Sequence, residues 1–527
     1  MNFDKDLQSI QEARNLASQA KEAQLEFKHF NQEQVDKVIK AMAEAGFNEA
    51  ERLARLAHEE TGFGKISDKI LKNQFATRDV YESIKNLRTV GVIDVQRNGK
   101  IIKIAEPMGV VAALIPSTNP TSTAMFKALI SLKCRNGIVA SPHPKAINCT
   151  IEALKILSDA AEKAGAPKGL IQCMTIPTLE GTEALMKDKN ISVILATGST
   201  PMVQAAYSSG KPAYGVGPGN VPAFIERTAN IKKAVADIVY GTTFDNGVLC
   251  SSEQAMIVDR PIKEKVIQEA KKLGCYFLNP DEKKKLEDRV AKGARLNPEI
   301  VGKTAKWIAD YSGFSVPDNT TVLIAECFKV GKEEPLSIEK LSPILAFYTV
   351  DGWLEGCHRC IELLEFGGIG HTLAIHSNDK EIIMKFALEK PAFRIVVNTP
   401  SSLGAVGYTT GLIPSMTLGP GTWGGSIVSE NVTAYHLINI KTLAFEIRAI
   451  NEGSAVNSFD IPQFTSRKVE KSSPGNFTKI IEERLRARAG NPQINPVGNV
   501  SRKSDTQNLG AGITEEEVKK IIKEFKL

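Results

Sequence analysis

The chain contains 527 residues, of which 42% are hydrophobic and 24% are charged. This length exceeds what one hydrophobic core usually organises, so two or three domains are expected. The net charge of +6 is concentrated near the C-terminus, where positions 466–527 carry 13 Lys and Arg against 8 Asp and Glu. The rest of the chain is therefore close to neutral, which excludes the broad basic surface of a nucleic-acid-binding protein.

The sequence carries no export or membrane signal. No apolar run approaches the length of a membrane span, and the N-terminal residues lack the apolar core of a secretory signal. Eight cysteines are scattered along the chain without the spacing of a disulfide framework. These features predict a protein of the reducing cytoplasm with no membrane partner.

Hydrophobic periodicity predicts an α/β protein. Residues 1–60 carry apolar side chains at helical spacing, and from residue 101 short apolar runs alternate with helical patterns. Strands are predicted at 110–115, 138–140 and 193–196, with helices at 121–133 and 151–164. A second series predicts strands at 255–258, 321–325, 344–348, 372–375 and 394–397, with helices at 262–273 and 354–365. Such alternation is typical of parallel sheets connected by crossover helices.

The C-terminal end differs from this body. Positions 454–512 are rich in Ser, Asn, Pro and Gly, which predicts an extension and a flexible linker. Positions 513–527 predict a short amphipathic helix that begins with the capping box Thr514 and Glu517. Its apolar side chains form one stripe, which consists of Val518, Ile521, Ile522 and Phe525. A helix of this kind behind a linker predicts a docking element.

Cys250 is the leading candidate for a nucleophile. It follows Val248 and Leu249 and precedes a small polar turn, in the segment TFDNGVLCSSEQ. We expect a strand-to-helix junction here, at which helix N-terminal amides would stabilise the thiolate that attacks electrophiles. A buried, unreactive thiol is the alternative that the segment alone leaves open.

Seven further motifs place this cysteine in a family context. They are PSTNPTST (116–123), SPHPKA (141–146), ATGST (196–200), GVGPGN (215–220), EKLSP (339–343), GGIGHT (367–372) and LGPGTWGG (418–425). Together with Cys250 the chain resembles the CoA-acylating aldehyde dehydrogenases, and most closely the aldehyde half of bifunctional aldehyde–alcohol dehydrogenases. The resemblance runs from about Gln32 to about Lys441.

The resemblance implies an aldehyde dehydrogenase fold with an oligomerisation arm. It implies an NAD-binding domain at 1–248, with an arm segment near 86–105, and a catalytic domain at 249–430 that carries the nucleophile. A return segment at 431–453 would complete the arm, which implies a homodimer or homotetramer. The reaction implied is oxidation of a short-chain aldehyde, acetaldehyde or propionaldehyde, by NAD and coenzyme A; a substituted aldehyde such as sulfoacetaldehyde also fits, and NADP stays open.

The same resemblance implies roles for individual residues. Cys250 would attack the aldehyde, and the Asn119 side chain would stabilise the oxyanion that forms. Glu339 would bind the nicotinamide ribose, and His143 would lie near the adenosine ribose. The dinucleotide would lie along two strand ends, at Ile115, Pro116, Ser117 and Thr118 and at Gly198, Ser199 and Thr200. Weaker candidates for the cofactor or CoA pocket are Gly217, His371 and Leu418.

An absent carboxylate separates acyl transfer from hydrolysis. Hydrolytic aldehyde dehydrogenases carry a general-base glutamate in an E-L-G-G motif, and Gly215 stands at that position here. Without that base the thioester is expected to persist until the thiol of coenzyme A arrives. The alternatives are a hydrolytic aldehyde dehydrogenase and a non-catalytic scaffold of the same fold.

One pair of cysteines has a spacing that also occurs in metal sites. Cys357 and Cys360 have the spacing of half a zinc site, but no second pair accompanies them, so a structural helix and no metal are predicted.

The helix predicted at 513–527 resembles the encapsulation peptides of enzymes in bacterial microcompartments. That resemblance implies shell proteins or other cargo as partners; a helix that folds back on the enzyme itself is the alternative.

Overall fold

The structure is a computed structural model that describes residues 4–292, 295–448 and 450. The predicted linker at 454–512 and the predicted helix at 513–527 lie outside the described residues. The helices are α1 Lys5–Phe27, α2 Gln32–Asn48, α3 Ala50–Thr61, α4 Ile66–Gln74, α5 Val80–Ile84, α6 Pro120–Lys133, α7 Ile147–Lys163, α8 Leu179–Lys187, α9 Thr200–Tyr207, α10 Ile231–Thr243, α11 Lys263–Lys272, α12 Pro280–Val290, α13 Ala305–Ser312, α14 Gly352–Gly367, α15 Lys380–Glu389 and α16 Ser401–Ala405.

The strands are β1 Gly91–Gln96, β2 Ile101–Pro107, β3 Val110–Ile115, β4 Gly137–Pro142, β5 Ile171–Cys173, β6 Ile191–Thr197, β7 Ala213–Val216, β8 Val221–Ile225, β9 Glu253–Asp259, β10 Cys275–Phe277, β11 Ala291–Lys292, β12 Arg295–Leu296, β13 Val322–Glu326, β14 Ile344–Val350, β15 Gly370–His376, β16 Ala392–Val397 and β17 Ile438–Ala444. The two α/β series predicted from the sequence are therefore confirmed.

The first large sheet has the strand order of a dinucleotide-binding fold. Its five parallel strands lie in the order β5-β4-β3-β6-β7, with β3 at the centre. All six residues of β3 are buried, as expected for an apolar strand covered on both faces. The chain order reverses between β3 and β6, and ligands of such sheets bind at the carboxyl ends of the strands at that point.

The second large sheet begins earlier in the chain than predicted. Its seven parallel strands lie in the order β10-β13-β14-β9-β8-β15-β16. Because β8 belongs to it, the two sheets divide in the loop 217–220 rather than at residue 248. Helix α10 and the Cys250 segment form a crossover between β8 and β9, so they belong to the second sheet.

A third, antiparallel sheet joins the two predicted arm segments. Strand β17 pairs with β2 from Ile438 opposite Pro107 to Ala444 opposite Ile101, and β1 pairs with the other edge of β2. Six of the seven residues of β17 are exposed. The role of this sheet in oligomerisation stays a prediction.

The remaining sequence features are structural. Cys357 and Cys360 are buried on α14, within the predicted helix. Across the described residues, no three His, Cys, Asp or Glu side chains come together as a metal site. Within that same part of the chain, no helix is both long and apolar enough to cross a bilayer.

The packing of α14 on the seven-stranded sheet can be tested at Gly356. A β-carbon there would lie 2.6 Å from the Phe224 ring, which is fully buried. We expect Gly356→Ala to lower the thermal unfolding midpoint, because overpacking costs about 1–3 kcal/mol and outweighs the gain of about 1 kcal/mol in helix propensity. Gly411→Ala is the control, since nothing lies within 4 Å of its β-carbon. A midpoint that is unchanged or raised in Gly356→Ala would contradict this packing.

Candidate active site

Cys250 lies between a helix and a strand. The turn Phe244–Gly247 follows α10, and β9 begins at Glu253, three residues beyond the thiol. The expected strand-to-helix junction is therefore wrong, and no helix begins at the thiol to present its N-terminal amides. The Cys250 side chain is half-buried.

The electrostatic surroundings of Cys250 favour the neutral thiol. Burial, together with the nearby Glu339 carboxylate, raises the pKa of Cys250 to about 12. Arg394 and the backbone amides of Cys250 and Ser251 act in the opposite direction. The thiolate expected from the sequence is thus not the resting state, because the desolvation of the charged form outweighs these favourable contacts.

The loop between β7 and β8 holds three of the predicted site residues together. The Gly219 amide donates to Glu339 Oε1 over 2.7 Å. A β-carbon at Gly219 would lie 1.9 Å from the Cys250 carbonyl oxygen and 3.2 Å from His371 Nδ1. Cys250, Glu339 and His371 therefore surround one glycine. Burial raises the pKa of Glu339 to about 7, although the amides of Gly219 and Asn220 partly offset this.

His371 is the fully buried end of a polar chain. Its Nδ1 lies 2.9 Å from Thr372 Oγ1, which also accepts from Arg394 Nε over 3.4 Å. The buried Arg394 donates further to the carbonyl oxygens of Gly419, over 2.5 Å, and Ser429, over 3.3 Å. Burial and Arg394 hold the pKa of His371 well below its usual range. The imidazole is therefore neutral, and its Nε2 has no hydrogen-bond partner among the described residues.

Asn119 reaches the Cys250 segment from the other sheet. It precedes α6 at the N-cap position, but its side chain forms no cap hydrogen bond. Its Nδ2 donates instead to Thr118 Oγ1 over 3.1 Å and to the Val248 carbonyl over 3.5 Å. Its Oδ1 accepts from Lys72 Nζ. The amide thus lies beside the loop that carries the nucleophile.

The predicted dinucleotide residues lie at the switch point of the five-stranded sheet. Ile115 ends β3 and Pro116–Thr118 follow it, while Gly198–Thr200 follow β6, the neighbour of β3 in the sheet. Ser199 occupies the N-cap of α9 without a side-chain cap bond, and Thr197 Oγ1 is buried without a partner. Small residues and uncommitted polar groups at this edge fit a pyrophosphate.

The remaining predicted binding residues are His143, Leu418 and Gly217. The His143 amide, at the end of β4, donates to the Ile115 carbonyl over 2.9 Å, and its side chain is exposed. Leu418 is buried in the hydrophobic cluster against which Cys250 packs. Nothing lies within 4 Å of a β-carbon at Gly217.

Tyr207 occupies the space beside Gly215. The Gly215 amide donates to its hydroxyl over 3.0 Å, and that hydroxyl donates to the Gly215 carbonyl over 3.2 Å. A β-carbon at Gly215 would lie 2.5 Å from the Tyr207 oxygen and 2.6 Å from Val203 Cγ1. The position that carries glutamate in hydrolytic relatives therefore has no room here for that side chain.

Sequence reasoning missed Lys72, Arg394 and Tyr207. Arg394 could have been noticed, because a charged residue interrupts the apolar pattern FRIVV of β16. Lys72 resembles any cation on a solvated helix face, and its partner Asp245 is 173 positions away. Nothing local in the sequence distinguishes Tyr207.

Comparison with known proteins shows which family the chain resembles. The model of the aldehyde dehydrogenase family matches residues 6–310. Aldehyde-alcohol dehydrogenase 2 of Entamoeba histolytica is 47% identical over 425 residues, which cover 79% of this chain and 49% of that protein. The chain thus spans about half the length of the curated relatives of this type that it matches.

Two solved structures match this chain over almost the whole of their own length. The structure of an acetylating aldehyde dehydrogenase from Geobacillus thermoglucosidasius is 53% identical, with a TM-score of 0.84, and covers 86% of this chain and 100% of its own. A propionaldehyde dehydrogenase from the fucose utilisation bacterial microcompartment of Clostridium phytofermentans is 30% identical, with a TM-score of 0.74, and covers 84% and 98%.

The charge on Glu339 should control the reactivity of Cys250. We expect Glu339→Gln to accelerate alkylation of Cys250 by iodoacetamide at pH 8 by about 3- to 10-fold, since a fall of one pKa unit is a tenfold rise in thiolate. At pH 6 the two proteins should differ little, because Glu339, whose pKa is raised to about 7, is then mostly protonated. Mass spectrometry of the Cys250 peptide measures the rate. Unchanged or slower alkylation at pH 8 would contradict the electrostatic assignment.

Proposed function

Because this chain belongs to the aldehyde dehydrogenase family, we propose that it oxidises a short-chain aldehyde to an acyl-CoA through a thioester on Cys250. The observation that carries the proposal is the position of the Cys250 segment beside Asn119 and His371. Gly215 carries no carboxylate, and Tyr207 fills the space beside it. The acetylating relative of 53% identity supports the same reaction class.

The protein residues supply a nucleophile and donors for the developing charge. The Cys250 sulfur attacks the aldehyde carbon, and its thiol proton passes to solvent, since the thiol is neutral at rest. Asn119 Nδ2 and the Cys250 backbone amide donate to the oxygen as it becomes an anion. NAD, held along the ends of β3 and β6, would supply the hydride acceptor that the oxidation to a thioester requires.

The second half of the reaction needs a base for the thiol of coenzyme A. His371 is neutral, and within the part of the chain that the structure describes its Nε2 has no hydrogen-bond partner. We assign it the acceptance of the CoA thiol proton as that sulfur attacks the thioester. The Thr372 hydroxyl holds the opposite ring nitrogen at 2.9 Å and fixes the ring orientation.

The dinucleotide is proposed to bind at the switch point between β3 and β6. The ends of these strands, Ile115–Thr118 and Gly198–Thr200, would hold the pyrophosphate, and Glu339 would hold the nicotinamide ribose. His143 would lie near the adenosine ribose. We propose NAD as the physiological cofactor, with NADP as the alternative, because the segment SPHPKA (141–146) that contains His143 leaves the choice open.

Hydrolysis is disfavoured because position 215 carries no carboxylate that could activate a water molecule. Gly215 carries no carboxylate, and Tyr207 fills the adjacent space. A thiol with a pKa near 8.5 ionises far more readily than water, so acyl transfer to coenzyme A needs less assistance.

We further propose that the enzyme is an oligomer within a bacterial microcompartment in the cytoplasm. A relative of 30% identity comes from such a compartment. The amphipathic stripe predicted at 513–527 would bind shell proteins or other cargo, and the exposed strand β17 would extend a sheet between subunits. Acetaldehyde and propionaldehyde are the proposed substrates.

The nucleophile can be tested by separating chemistry from binding. We expect Cys250→Ala to abolish the NADH formed from acetaldehyde or propionaldehyde with CoA, because no other group can form the thioester. NAD binding, measured by calorimetry, should remain, since the strand ends that would hold it are unchanged. Wild-type enzyme should form acyl-CoA and little free acid. Turnover in Cys250→Ala, or efficient acid formation without CoA, would overturn the proposal.

The docking role of the helix predicted at 513–527 can be tested by deletion. Removing 512–527 should leave dehydrogenase activity unchanged and abolish co-sedimentation with shell proteins, because a helix this short is ordered only when its apolar face is covered. Ile521→Glu with Phe525→Lys should reproduce the deletion, and Lys520→Ala on the polar face is the control. Loss of activity or of oligomeric state in the truncated enzyme would assign the helix to the enzyme itself.

A further inference from the structure

A buried lysine controls the orientation of the Asn119 amide. Lys72, on α4, is 4% exposed and donates from Nζ to Asn119 Oδ1. Burial lowers the pKa of Lys72 to about 8, although Asp245 acts in the opposite direction, so below that pH the group is an ammonium. An ammonium has donors only, so the carbonyl oxygen of the amide faces it. The Nδ2 group is thereby directed to the opposite side, toward the Val248 carbonyl at 3.5 Å and the Cys250 segment.

This contact diverts Asn119 from the role that its position favours. Asparagine at a helix N-cap usually accepts a hydrogen bond from the first turn of its own helix. Here the side chain forms no such bond, although Asn119 caps α6 by position. The cation thus holds the amide in an orientation that serves the active site rather than the helix.

The lysine is itself fixed by the loop that carries the nucleophile. The fully buried Asp245 accepts from Lys72 Nζ and, over 3.1 Å, from Lys69 Nζ. Its other oxygen accepts from the Lys65 amide over 2.6 Å. Asp245 has a φ of 48°, a left-handed conformation uncommon in residues other than glycine. One carboxylate therefore links α4 to the turn five residues before Cys250.

We propose that Lys72 is the positioning residue of the oxyanion donor, which it orients and polarises through the carbonyl oxygen of Asn119. A hydrogen bond from a charged donor draws electron density toward Oδ1, which makes the Nδ2 hydrogen a stronger donor to an oxyanion. The inference rests on the proposed function, in which Asn119 stabilises the anion formed on Cys250.

The test is a double-mutant cycle on the rate of acylation. The rate is measured as NADH formed in a single turnover with acetaldehyde and NAD before CoA is added. Asn119→Ala should lower it by about 100- to 1,000-fold, the usual loss for one oxyanion donor. Lys72→Met should lower it by about 10- to 100-fold, with little change in the aldehyde KM. Combined with Asn119→Ala, Lys72→Met should cause no further loss, because it acts through the amide.

Lys69→Met is the matched control. It removes an equally buried cation from the same helix and from the same carboxylate, but not one that bonds to Asn119. A merely structural role of the cluster would make the two lysine variants equivalent, whereas the proposal requires a much smaller loss in Lys69→Met. Where Lys72→Met impairs folding, as judged by thermal unfolding, Lys72→Gln undergoes the same comparison.

The outcomes separate this inference from the proposed function. Equal factors for Lys72→Met in the wild-type and Asn119→Ala backgrounds, or a loss confined to the aldehyde KM, would overturn the role of Lys72. Full acylation by Asn119→Ala would remove the oxyanion donor and the inference together, while CoA-dependent acyl transfer would stand. Turnover by Cys250→Ala would instead overturn the proposed function.

Discussion

The site depends on the close approach of the loop 217–220 to the Cys250 backbone. The loop runs from one parallel sheet to the other, and at Gly219 a β-carbon would overlap the Cys250 carbonyl oxygen at 1.9 Å. Only glycine fits at this position. The Gly219 amide donates a hydrogen bond to Glu339. The contact brings the carboxyl end of β7 in the first sheet to the amino ends of β8 and β9 in the second, so that residues of both sheets can share one site.

The charged groups near the Cys250 thiol do not stabilise a thiolate in the resting protein, but Arg394 can stabilise negative charge that forms during the reaction. Glu339 and burial favour the neutral thiol, while Arg394 opposes them from the far side of the His371–Thr372 pair. Arg394 hydrogen-bonds to a hydroxyl and to carbonyl oxygens, so its charge is not neutralised by these bonds. A cation held in this way stabilises whichever negative charge forms near it, on sulfur or on the substrate oxygen.

Much of the fold could be predicted from the sequence, because its strands are continuous apolar runs. The run 110–115 matches β3 residue for residue, since a strand buried on both faces leaves a local signature. The division between the sheets could not be found in this way, because β7 and β8 are short strands separated only by the loop 217–220, and hydrogen-bond pairing alone assigns them to different sheets. Cys250 and its neighbours were identified through motifs, but its pKa depends on Glu339 and Arg394, which only tertiary structure brings close.

The proposed preference for a thiol over water rests on the residues around Gly215 and Cys250. A hydrolytic site needs a carboxylate at the end of β7, but the Tyr207 hydroxyl, bonded to both backbone groups of Gly215, occupies the space where that side chain would begin. The base proposed for the CoA thiol, His371, is buried, and its pKa is held well below its usual range, so it is a weak base. A thiol ionises readily enough to react with the assistance of a weak base, whereas water does not. In the proposed function, selectivity would therefore come from the weakness of this base as much as from the absence of the carboxylate.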